Sequence, residues 1–271
     1  MRAFGCFLAA SLALAGCAAP PPPAPAEAKA APQRVVSLNL CTDELLLLLA
    51  EPRQIASLSH LAGREDELPL WREARAYPAN DGSLASAAAL RPDLVLTMGG
   101  GGDRLQISRR LGIPAVNLPF PQSLDDVERS VRTVGAALRR GEQAAALVSR
   151  MAALRRSAPP ARTDTLWIGG GGRTVAAQGL EAQWMALAGY RQRSISGDQV
   201  QLEELLARPP AVLLRSDYRQ HQYSRAQAWL AHPLAQAADR SRTLATDGRR
   251  WTCLGPLMIE EIEQLRREAG A

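Results

Sequence analysis

Two glycine runs, at 99–102 and 169–172, each follow an apolar stretch. A glycine-rich loop between strand and helix can cradle a phosphate with backbone N–H groups. Neither run is followed by Gly-Lys-Ser/Thr, and neither makes Gly-x-Gly-x-x-Gly with a later ribose-binding acid. They read instead as loops where backbone comes close to a ligand or to another part of the protein. The three histidines, His60, His221 and His232, have no metal-ligand spacing, and there is no Cys-x-x-Cys, so no zinc site is expected. No Gly-x-Ser-x-Gly elbow is present. The acid pairs Glu203-Glu204 and Glu260-Glu261 read as solvated helix faces. No nucleophile, base and orienting group come together in the pattern, so neither a catalytic residue nor a cofactor is expected.

The elements around these loops alternate. Residues 34–40 form a nearly continuous apolar run suited to a buried parallel strand, with Thr42 as cap of a helix through the five leucines at 45–49. Strands are predicted at 55–58, 94–97, 115–118, 165–168, 211–214 and 243–246, and helices at 84–90, 105–111, 181–188, 202–207 and 257–268. A polar region with Trp71 and Tyr77 lies between, and Asn80-Asp81-Gly82 is a turn. Strand and helix in alternation predict parallel sheets, whose ligands sit beyond the carboxyl ends of the strands. In the middle, Leu124, Val127, Val131, Val134 and Leu138 share one helical face, with Ser123 as N-cap and Asp126 three residues on. A second helix repeats the pattern with Leu147, Met151 and Leu154 until Pro159-Pro160 stops it. Segments 90–96 and 207–213 both read helix end, Arg, Pro, one residue, apolar strand. This weak repeat favours two similar lobes with the helix as a strut between them over a single large sheet.

The chain has 271 residues and a formal charge of +5. Residues 1–16 read as a secretion signal, and Leu14-Ala15-Gly16-Cys17 resembles the bacterial lipobox, which makes Cys17 the lipid-modified first residue after cleavage. The apolar run is short for a transmembrane helix. Residues 17–32, rich in Ala and Pro, read as a stiff tether that cannot bury a core. The basic excess is spread evenly and leaves no nucleic-acid footprint. The expected organisation is signal 1–16, tether 17–32, first lobe 33–122, helical connection 123–158 and second lobe 159–271.

The motifs taken together resemble a known family. Residues 34–42 with their leucine-rich helix, Leu90-Arg-Pro-Asp-Leu-Val-Leu96, Leu111-Gly-Ile-Pro-Ala-Val116 and Trp251-Thr-Cys-Leu-Gly-Pro256 are similar, in order and spacing, to the periplasmic binding proteins for cobalamin and ferric siderophores that serve ABC importers. The resemblance covers the chain from Arg34 to its end. It implies an α/β fold of two lobes joined by one long helix, with the ligand in the cleft between. It also implies a monomer that binds an iron chelate or corrinoid without chemistry, touches the membrane only through its lipid, and has the importer's permease as partner. By position it implies ligand contacts at His60, Met98, Gly99, Arg215, Tyr218 and Trp251, while Trp167, inside a strand, reads as core. Arg173, Arg215, Arg219 and Arg249 would meet negative charge on the ligand. Glu203 matches the second-lobe docking acid, whereas the first-lobe position is Ala85, a departure that puts two-point docking in doubt.

With Cys6 lost in the signal and Cys17 lipidated, the body keeps Cys41 and Cys253, in an oxidising compartment. Both follow predicted strands and belong at the cleft. They could be free thiols lining the site, buried packing residues or an inter-lobe disulfide; the expectation is two free thiols. The rival readings of the whole chain are a lipoprotein enzyme on a doubly wound sheet and a structural envelope lipoprotein.

Overall fold

The apolar strands pair in parallel into two sheets. In this computed structural model residues 30–99, 102–217, 233 and 241–269 are described, with side chains omitted at 102–104, 202 and 217. The first sheet contains β1 (Val35–Ser37), β2 (Ile55–Ser59), β3 (Ala79–Asn80), β4 (Leu94–Met98) and β5 (Ala115–Leu118), in the order β3-β2-β1-β4-β5. The second contains β6 (Thr163–Ile168), β7 (Tyr190–Gln192), β8 (Val212–Asp217) and β9 (Arg242–Asp247), in the order β7-β6-β8-β9. Each sheet starts on an inner strand, steps to one side, then crosses to the other. The two Arg-Pro segments introduce β4 and β8, which occupy equivalent places beside β1 and β6. Asp93 of the first segment also fixes the start of the body, accepting from the backbone N–H of Gln33 (2.6 Å) and Arg34 (2.9 Å).

Helices cover both faces. Val35 packs with α1 (Leu40–Leu49), whereas Val36 turns the other way toward Leu84 and Ala87 of α3 (Leu84–Ala89), as period-two alternation requires. A one-turn helix, α2 (Trp71–Ala74), lies in the predicted polar region, and α4 (Gly102–Arg110) precedes β5. The predicted strand at 34–40 is shorter than expected. The chain turns at Leu38, and Asn39 rather than Thr42 caps α1, accepting from the Thr42 N–H at 3.0 Å. Of the leucines at 45–49, Leu45, Leu46 and Leu49 are buried and Leu47 and Leu48 are only partly covered.

The central helices are α5 (Leu124–Leu138) and α6 (Gly141–Arg156). Ser123 and Asp126 bond reciprocally at the head of α5. Leu124 and Val127 belong to the core of the second sheet, and Val131, Val134 and Leu138 to that of the first. Helix α6 runs back the other way, with Ala144 and Val148 in the first core and Met151 and Leu154 in the second. It carries the chain between the halves across about 24 Å, and α5 lies beside it over the same span. Among the described residues, helices α7 (Leu180–Ala186), α8 (Leu202–Ala207), α9 (Arg250–Cys253) and α10 (Met258–Ala269) belong to the second half. Among the described residues no helix is long and apolar enough to cross a membrane.

A Cβ placed on Gly135 of α5 would lie 2.4 Å from the Ala144 Cβ of α6. Alanine has the better helix propensity, by about 1 kcal/mol, yet Gly135→Ala is expected to destabilise by about 1–3 kcal/mol through overpacking of the hairpin. Urea unfolding of the two proteins checks the sign.

Candidate functional site

The carboxyl edges of the two sheets meet at a seam. In the first sheet the direction of strand addition reverses between β1 and β4, which opens a crevice suited to ligands in a lone sheet. Here the crevice is filled. Asn39 spans it, donating Nδ2–H to the Met98 carbonyl at 3.0 Å. Cys41, in the first turn of α1, is disulfide-bonded to Cys253 of α9 across 212 residues, with Cα atoms 5.2 Å apart. The expectation of two free thiols is therefore corrected: the lobes bring the two Cα atoms within bridging range.

Glu44 makes a second tie. Its side chain is buried, and Oε1 accepts the Leu257 backbone N–H at 3.1 Å. Gly255 presses on it so closely that a Cβ there would lie 2.4 Å from Oε1. Burial raises the Glu44 carboxyl from 4.5 to about 7, with the Arg250 charge opposing the rise. Its neighbour Asp43 accepts from Ser59 through the backbone N–H (3.0 Å) and the hydroxyl (2.5 Å), which fixes the end of β2. Burial raises Asp43 to about 6 against these hydrogen bonds. A third tie runs from Arg249 Nη1 to the Glu65 carbonyl at 2.7 Å. Arg249 also pairs with Asp247, so this cation is already committed within the protein. Glu261 corrects the expected solvated acid pair: it is buried in α10, raised to about 7 by burial, with Arg250 Nε 3.6 Å away.

The expected ligand residues separate into groups. His60 is exposed just beyond β2, with its backbone N–H bonded to the Asn80 carbonyl at 2.8 Å. Met98 is buried, 7 % exposed, against the first core. Gly99 follows it with φ +65°, under the ring of Phe120. Arg215 is half-buried toward the end of β8, between Ile168 and Ala245. Trp251 is 6 % exposed, so it sits inside the second core rather than on an open wall, with its ring centroid 5.7 Å from that of Trp167. Both indole N–H groups are buried, and neither meets an acceptor among the described residues. Arg173 pairs with Asp198 at the surface. Glu203 is exposed on α8. Tyr218, Arg219 and Cys17 lie outside the described residues.

Between the edges remains a cavity of about 10 Å³ walled by Cys41, Met98, Pro121, Val127, Cys253 and Pro256 among others, room for about one water. Among the described residues no group of three His, Cys, Asp or Glu side chains could hold a metal ion. Sequence reasoning pointed to Asn39, just after the first strand, and missed Asp43, Glu44 and Phe120. Asn39 carried a legible signal, an Asn between a buried strand and a leucine-rich helix.

Two parallel α/β halves, joined by a helix and meeting at their carboxyl edges, define a two-lobed binding protein. The chain belongs to the periplasmic binding protein family, whose model matches residues 35–239. Its fold is similar to a periplasmic haem-binding protein of Vibrio cholerae (TM-score 0.69, 18 % identity, 88 % of this chain and 99 % of that one). The haem-binding protein of Roseiflexus sp. RS-1 is also similar (TM-score 0.67, 21 %, 87 % and 97 %). So is the periplasmic vitamin B12 binding protein of Vibrio cholerae (TM-score 0.60, 18 %, 87 % and 96 %). No curated protein matches the chain significantly.

Denatured without reductant, the chain released from the periplasm is expected to leave Cys41 and Cys253 unlabelled by iodoacetamide, and to label both after reduction. Cys253→Ser is expected to lose about 2–5 kcal/mol of stability. Labelling of both thiols without reductant would contradict the bridge. Glu44, Asp43 and Glu261 have folded values above their ordinary ones, so between about pH 4 and 7 the native state binds more protons than the unfolded state. Their contribution to stability therefore falls as pH rises through that window and levels off above it. Glu44→Gln should flatten the decline measured by urea unfolding between pH 5 and 8, and an unchanged slope would contradict the burial of a titrating Glu44.

Proposed function

We propose that this protein is the ligand-capturing component of an ABC importer, which takes an iron chelate (siderophore or haem) or cobalamin between its lobes and hands it to the permease. It acts by binding, without chemistry. The observation that carries this reading is the convergence of both carboxyl edges on one seam, where a ligand can touch two lobes at once. The haem-binding and B12-binding proteins that share the fold support the ligand class. The cavity at the seam is far smaller than a chelate, so capture requires the lobes to rotate or the ligand to bind beside the closed part. The contacts proposed for it are His60 and Gly99, exposed in the first lobe, half-buried Arg215 and buried Trp251 in the second, and Tyr218, which lies outside the described residues. Arg215 would meet ligand carboxylates.

Residues 1–16 act as the secretion signal, Cys17 carries the lipid, 17–32 tether the body as a monomer, and Glu203 on α8 faces the permease. The proposed boundaries are 33–122 for the first lobe, 123–158 for the helical connection and 159–271 for the second lobe, a division that the two separate sheets support.

A Cys17→Ala variant is expected to be secreted and soluble, and native mass spectrometry of it, purified from its own periplasm, is expected to find a single bound small molecule of chelate mass. A variant that still pellets with membranes would defeat the anchor, and a bare chain under gentle release would defeat the ligand. Glu203→Ala is expected to lower uptake with ligand affinity unchanged, through slower association with the permease. Equal loss of ligand affinity would place Glu203 in the pocket.

A further inference from the structure

Phe120 is 59 % exposed, more than any other large apolar side chain among the described residues. A single exposed ring is unremarkable by itself, but this one is held in place. Its edge lies over Gly99, where a Cβ would be 2.0 Å from Phe120 Cε2 and 2.4 Å from Cζ, so only glycine leaves room for the ring. Gly99 has φ +65°, a conformation that favours glycine for a second reason. Pro119 and Pro121 flank the ring and fix the backbone on both sides. An aromatic ring set in advance loses little freedom when it meets a ligand.

Its place in the fold is equally specific. Phe120 stands just beyond β5, at the carboxyl edge, and its neighbour Pro121 walls the seam together with Met98. Asn39, the disulfide and Glu44 close the seam over β1. In the order β1-β4-β5 the ring is two strands away, about 10 Å along the edge. Its chain neighbours Pro119, Pro121 and Gln122 carry no charge. A ring held between two prolines offers a π face and no charge of its own, which suits an extended conjugated surface.

We propose that Phe120, positioned by Gly99, is a stacking platform for a flat conjugated macrocycle, haem or a corrinoid, bound beside the closed part of the seam. This rests on the chelate-capture reading above and narrows its ligand class. The test is titration of the soluble Cys17→Ala protein with haemin, cyanocobalamin and a ferric trihydroxamate, in the parent and in Phe120→Ala, Phe120→Leu and Phe120→Trp versions. The ring is exposed, so all four should unfold at the same midpoint. The parent is expected to bind one macrocycle, and which of the two it binds separates haem from corrinoid. Alanine and leucine should weaken that binding by about tenfold or more, and tryptophan should retain it. Unchanged affinity in Phe120→Ala, or tryptophan failing as badly as alanine, would overturn the platform. Binding of the trihydroxamate alone would overturn the macrocycle. No binding of any probe would overturn the chelate-capture reading itself.

Discussion

A single covalent bond between Cys41 and Cys253 sets the relation between the two halves. Cys41 belongs to the helix after β1, the strand from which the first sheet grows in both directions. An open α/β sheet takes a ligand just there, beyond its carboxyl end. Here the bridge and Asn39 occupy that crevice, so the first sheet cannot host a ligand on its own, and the loop that follows β9 is drawn over it. With the bridge intact the edges cannot part at this point, and any opening is a rotation about it. Under the proposed function the ligand then sits to one side of the bridge.

Buried charge reinforces the same arrangement. Glu44 gives up its water to accept one backbone N–H from across the seam, under a glycine that leaves no space for a side chain. That geometry exists only when the halves meet as they do. A buried carboxylate contributes little net stability, since desolvation offsets most of what the hydrogen bond returns. Its effect is to make other alignments of the seam worse, because they would leave the acid without its donor. Arg250, shared among Asp247, Glu260 and Glu261, holds the one-turn helix that carries Trp251 and Cys253.

Much of this was legible in the sequence, for reasons that can be named. The stripe Leu124, Val127, Val131, Val134 and Leu138 is buried as its spacing requires. The Arg-Pro repeat marks two strands that hold equivalent places in their sheets. Cys41 and Cys253 were placed at the cleft from local pattern, but their redox state depends on the distance between lobes, which no local pattern encodes. Glu44 was hidden for a similar reason, as its donor lies 213 residues away. Glu261 was readable: it stands three residues after Met258 and four before Leu265, inside the apolar stripe of α10. Trp251 was recognisable as an aromatic near the seam, while its burial depends on packing against Trp167 and α10.

The proposed function requires one ligand to be held by the carboxyl edges of both sheets at once. Hydrogen exchange, followed by mass spectrometry with haemin, cyanocobalamin and a ferric trihydroxamate in turn, addresses it directly. One of the three is expected to slow exchange both in the first-lobe segments 58–62, 97–99 and 118–121 and in the second-lobe segments 168–173 and 247–256. Protection confined to one lobe, or found with none of the three, would contradict it.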